Sequence, residues 1–133
     1  MTAVRSTFLR TVIALDAAAC GLMGGAFAVA APALEAPLGL SPALMRPVGL
    51  FLVAYAAFLA WLASRPELPR GGVWGLVAFN LLWAAESIGL IALGWAQPTP
   101  LGLGFVIAQA LAAVVVADLQ YLSLRRSRTA ALA

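Results

Sequence analysis

The chain has 133 residues, 64% of them hydrophobic and 10% charged, with a mean hydropathy of +1.01. Soluble domains carry roughly 45–50% apolar and 25% charged residues, so that class is excluded. The formal charge of +3 comes from eight arginines that form no patch or stripe, which excludes a nucleic-acid surface. What fits is an all-α polytopic membrane protein: an antiparallel four-transmembrane-helix bundle filling residues 1–133 as a single domain, with no soluble catalytic part. Its apolar spans, about 9–31, 42–64, 72–96 and 101–124, are each near the roughly 20 residues that cross a ~30 Å hydrocarbon layer.

The first span follows Arg5 and Arg10. Those arginines, the apolar run and the triplet Ala28-Val29-Ala30 also fit a cleavable secretory signal. Asp16 interrupts the apolar core such a signal needs, and the run is longer than the usual 7–15 residues, so the span reading is preferred. Ala17, Gly21 and Gly25 make a small-xxx-small ladder of the kind that lets two helices approach closely in lipid. Cys20, the single cysteine, has no intramolecular partner and reads as a small buried hydrophobe.

Ser41-Pro42 opens the second span with an N-cap and a proline at the first helical position. This span carries Tyr55 and a second ladder, Ala56, Ala60 and Ser64. The link "RPELPRGG", Arg65 to Gly72, is short and rich in helix breakers, which favours antiparallel neighbours.

On the third span Asn80, Ala84, Ser87, Ile91 and Gly94 recur at spacings of three and four, a polar-tinged stripe suited to the bundle interior. Phe79, Trp83, Glu86, Leu90 and Leu93 share another side, expected to face lipid or a partner. Thr99-Pro100 repeats the cap signal. On the fourth span Gln109, Ala112, Ala113, Val116 and Gln120 form a packing face. "GLFLVAYAA" from Gly49 and "GLGFVIAQAL" from Gly102 are loosely alike, which suggests two copies of a helical hairpin.

Seven arginines (Arg5, Arg10, Arg65, Arg70, Arg125, Arg126 and Arg128) mark one side of the spans and only Arg46 the other. This positive-inside bias predicts cytoplasmic termini, with Trp61, Trp74 and Tyr121 at the inner interface and Trp95 at the outer one.

Three carboxylates fall within the spans, where a charge costs about 2.5–3.5 kcal/mol on insertion scales. Asp118 precedes Arg125 by seven residues on the same helical side and Asp16 follows Arg10 by six, so snorkelling arginines are expected to relieve both. Glu86 has no arginine at its depth. It is expected to stay protonated and to donate to Gln109, roughly level with it on the fourth span, or to a carbonyl.

An ionisable residue inside a membrane is by default a candidate functional site. Asp16, Tyr55, Asn80, Trp83, Glu86, Gln109 and Asp118 make up the candidate polar set. The leading expectation is a non-catalytic accessory or structural subunit, a homo-oligomer or a complex with another membrane protein, whose partner covers Glu86. The alternative is a small proton-coupled transporter of a lipophilic cation. The chain has no histidine and no glycine-rich phosphate loop, so neither an enzyme nor a metal or other cofactor is expected.

The segments "NLLW" (Asn80–Trp83), "PTPLG" (Pro98–Gly102), "AQALA" (Ala108–Ala112) and "DLQYLSLRR" (Asp118–Arg126) resemble a family of uncharacterised bacterial integral membrane proteins of about this length. The resemblance implies four helices in the bacterial inner membrane and no catalytic assignment. Glutamate is more usual in that family where this chain has Asp118.

Overall fold

The computed structural model describes residues 3–132, with side chains to residue 127. Four helices, each long and apolar enough to cross a membrane, account for most of them. In chain order the elements are β1 (Ala3–Val4), α1 (Thr7–Leu38), α2 (Pro42–Ala63), β2 (Leu68–Pro69), α3 (Arg70–Ala92) and α4 (Pro100–Leu132). The strands are a two-residue antiparallel bridge, Ala3 opposite Pro69 and Val4 opposite Leu68, which ties the start of the chain to the α2–α3 link.

Ser6 caps α1, its hydroxyl accepting from the Leu9 N–H at 3.1 Å. The helix continues to Leu38, seven residues past the expected end at Ala31, although it contains Pro32 and Pro37. Pro32 has no N–H to give and its ring presses on the carbonyl four residues back. The backbone yields at Ala30 (φ −107°, ψ 17°), so the helix kinks there instead of stopping. Gly39, left-handed at φ 70°, ends it and donates to the Glu35 carbonyl at 2.7 Å.

Ser41 and Thr99 both cap as their sequence signals predict: Ser41 Oγ accepts from Leu44 N–H at 3.2 Å and Thr99 Oγ1 from Gly102 N–H at 3.1 Å. α3 stops at Ala92, four residues before the expected end at Ala96. Gly94 turns left-handed (φ 74°) and the N–H groups of Trp95 and Ala96 both donate to the Leu90 carbonyl. α4 runs eight residues beyond the expected Leu124.

Neighbouring helices are antiparallel, as contacts at both ends show. At one end Arg10 Nε donates to the Ala63 carbonyl at 3.0 Å, and an Arg70 guanidinium nitrogen to the Leu124 carbonyl at 2.9 Å. At the other, Thr99 joins α4 to α1, its N–H donating to Leu38 O (3.1 Å) and its hydroxyl to Pro37 O (2.6 Å). Arg5, Arg10, Arg65, Arg70, Arg125 and Arg126 gather at the first end, where Arg5 pairs with Glu67 and Arg126 lies over the Phe8 ring at 5.9 Å. The side chain of Arg128 lies outside the described residues.

α1 and α2 make the closest seam, and the expected ladders need correcting. Ala17 is buried and Gly21 faces Ala56, but a Cβ on Gly25 would point into open space and Ala60 is exposed. The close approach is instead Gly24 on Gly49: a Cβ on Gly49 would stand 2.6 Å from Ala28 N and 2.7 Å from Gly24 O. One residue is 100° of helix rotation, enough to carry Gly25 off the seam and bring Gly24 onto it. Between α3 and α4, Ala84, Ala110 and Ala113 are buried against one another, whereas Ala112 is exposed. Large apolar side chains such as Leu22 and Val29 stand on the outside, 78% and 85% exposed, while Asn80, Gln120 and Ser123 are buried.

Candidate functional site

α2 and α3 barely approach each other along their backbones; rings fill the interval. Phe51 and Tyr55 of α2 meet Phe79 and Trp83 of α3, with Tyr55 and Phe79 centroids 4.3 Å apart and Phe51 stacked on Trp83 at 6.4 Å. The Phe79–Trp83 side of α3, expected to face lipid or a partner, therefore turns inward. Glu86 and Leu93 on that side remain exposed.

Two cavities lie beside this array. The inner one, nearer the arginine end, has a volume of about 200 Å3 and is lined by Asp16, Cys20, Tyr55, Asn80, Trp83 and Gln109 among apolar neighbours. The outer one, about 220 Å3, is mostly apolar, with Glu86 and Ser87 on its wall. Met23, Trp83 and Gln109 border both. The exposed lining residues Leu15, Ala19 and Ala112 put the mouth of the inner cavity between α1 and α4; Glu86 puts that of the outer cavity between α2 and α3.

Asp16 is the acid that the fold turns into the bundle. Its Oδ1 accepts from the Cys20 thiol one turn on, at 3.5 Å. Asn80 flanks it and donates to Gln120 Oε1 at 3.2 Å. Asp16 Oδ2, the Tyr55 hydroxyl and Gln120 Nε2 are buried with no hydrogen-bond partner among the described residues. A buried polar atom left unpaired costs roughly 1–3 kcal/mol, and two of the three, on Asp16 and Tyr55, belong to residues that line the inner cavity.

The expected relief of Asp16 by Arg10 does not form: Arg10 Nε donates to the Ala63 carbonyl, and no ion pair reaches Asp16 among the described residues. The expected Glu86–Gln109 bond is also replaced. Both residues border the outer cavity, but Gln109 Oε1 accepts from Trp83 Nε1 at 2.8 Å and its amide donates to Val106 O at 2.9 Å. Asp118 is exposed on α4 and away from the cavities, while Arg125 stacks over Tyr121 at 5.9 Å.

The structure thus gathers Asp16, Tyr55, Asn80, Trp83 and Gln109 around the inner cavity, puts Glu86 on the outer one and leaves Asp118 apart. Sequence reasoning missed Cys20 and Gln120 as polar neighbours. The four-residue spacing from Asp16 to Cys20 was the available signal for the first, and the position of Gln120 on the packing face of α4 for the second. Comparison with protein-family models, with curated proteins and with solved structures found no match to this chain.

Proposed function

We propose that this is a multi-pass protein of the bacterial inner membrane that binds a small lipophilic ammonium ion beside Asp16 and exchanges it for a proton. The observation that carries the reading is the inner cavity, where an unpaired carboxylate oxygen and an unpaired phenol hydroxyl stand among aromatic rings. A carboxylate supplies the countercharge and an acceptor for an ammonium N–H, while ring faces attract the cation and accept its apolar body. With no cation bound, a proton on Asp16 removes the cost of a buried charge, and binding displaces it. Both cavity mouths open on the apolar flank of the bundle, so a ligand already dissolved in lipid reaches them directly. The chemistry is binding and exchange, without a catalytic step. The arginine distribution supports cytoplasmic termini; an enzymatically active alkaline phosphatase fused to the C-terminus would overturn that orientation.

The test uses the full chain in lipid nanodiscs with phenethylamine as probe. Calorimetry should show saturable one-site binding with proton release, read from the dependence of the enthalpy on buffer. Asp16→Asn should weaken binding at least ~30-fold, since breaking a buried charge pair costs about 2–5 kcal/mol. Equal binding by Asp16→Asn, or none by the unaltered protein, would overturn the reading.

One observation favours a second reading, that of an accessory subunit or homo-oligomer: exposed Glu86 has no hydrogen bond or ion pair among the described residues. A partner helix carrying a donor would cover it. Intact-mass measurement after mild-detergent purification decides this, a stoichiometric complex supporting it and a bare monomer removing it.

A further inference from the structure

The inner and outer cavities are neighbours with separate mouths, and only a thin wall divides them. Met23, Trp83 and Gln109 belong to both linings, and the last two close on each other through the 2.8 Å Nε1–Oε1 hydrogen bond. Trp83 also stacks on Phe51 at 6.4 Å and on Phe79 at 5.9 Å, and packs on the Ala84, Ala110 and Ala113 cluster. Gln109 is held from behind by its bond to Val106 O. Each cavity alone falls below the roughly 300–1,000 Å3 of sites that take drug-sized ligands; joined, the two come within that range.

From this arrangement we propose that the Trp83–Gln109 contact is the specificity determinant of the site. It limits the inner cavity to amines with about one ring, and its opening joins the Asp16 site to the Glu86 mouth. The inference rests on the amine-binding reading and names what that reading leaves open, the size class of the ligand and the second way to Asp16. Asp16 is the binding group in both arrangements. Trp83 and Gln109 act by shape.

The experiment compares phenethylamine with the two-ring amine 1-naphthylmethylamine in nanodiscs, using unaltered protein, Trp83→Ala, Trp83→Phe and Asp16→Asn. The unaltered protein should bind the one-ring amine at least tenfold more tightly. Trp83→Ala should reduce that preference to threefold or less by gaining affinity for the larger amine. Trp83→Phe keeps a ring but loses the N–H, so it should keep the size preference while both association and dissociation of phenethylamine quicken severalfold. Asp16→Asn should lose both ligands. If the unaltered protein binds phenethylamine and Trp83→Ala or Trp83→Phe leaves selectivity and exchange rates unchanged, the partition is wrong and the amine site stands. If the unaltered protein binds neither amine, both fall. Should Trp83→Ala fail to fold, Gln109→Leu, which removes the same bond from the α4 side, takes its place with the faster exchange expected of Trp83→Phe, and unchanged rates overturn the proposal.

Discussion

The seams that α2 makes with α1 and with α3 are built on opposite rules. Toward α1, Gly49 lies so close to Gly24 and Ala28 that no side chain fits, and the two helices meet backbone to backbone. Toward α3, Phe51 and Tyr55 reach across an interval that backbones do not close, and the cavities lie beside that interval. Hydrocarbon offers apolar side chains nothing it does not also offer the folded state, so helices in lipid gain from close backbone approach and from polar contacts. The glycine seam takes that gain in full. The ring seam forgoes part of it, and what it keeps in exchange is space beside Asp16.

The sharpest way to break the contrast is Gly49→Leu. Its Cβ would stand 2.6–2.8 Å from main-chain and side-chain atoms of α1, and backbone cannot yield as a flexible side chain can. A loss of about 3 kcal/mol is expected in reversible unfolding in mixed micelles, at the upper end of ordinary overpacking costs. A smaller loss is expected from Phe79→Ala, about 1–1.5 kcal/mol, because its ring contacts with Phe51, Tyr55 and Trp83 vanish while no backbone is displaced. Smallest is Asn80→Leu, near 0.6 kcal/mol, the mean for one polar contact between membrane helices. If Phe79→Ala cost as much as Gly49→Leu in the same assay, the two seams would be energetically alike and the contrast would fail.

Four helices, their short links and the caps at Ser41 and Thr99 could be read from the chain because each is a local property. Length against bilayer thickness, a hydroxyl before a proline and the side on which arginines fall require no knowledge of neighbours. The errors in the element boundaries are local too, but they concern what a breaker does in context. Pro32 kinks α1 instead of ending it, and Gly94 ends α3 before Trp95.

The polar residues of the spans could be picked out in the sequence, but not which of them the fold brings together. Asp16, Asn80, Trp83 and Gln109 stood out as polar or amphipathic groups in apolar spans. Which of them meet depends on the rotation of each helix about its axis, and a span that is apolar all round carries almost no record of that rotation. Gly24 and Gly25 are equally small, yet only the packed bundle sets one against Gly49 and leaves open space where a side chain on the other would point. Trp83 could face out or in with equal sense until the width of the α2–α3 interval turned it toward Gln109. Composition and order thus determined four apolar helices and the end at which the arginines collect. Rotation and spacing, which arise only when all four helices exclude one another's volume, determined that Asp16 and not Glu86 became the acid inside.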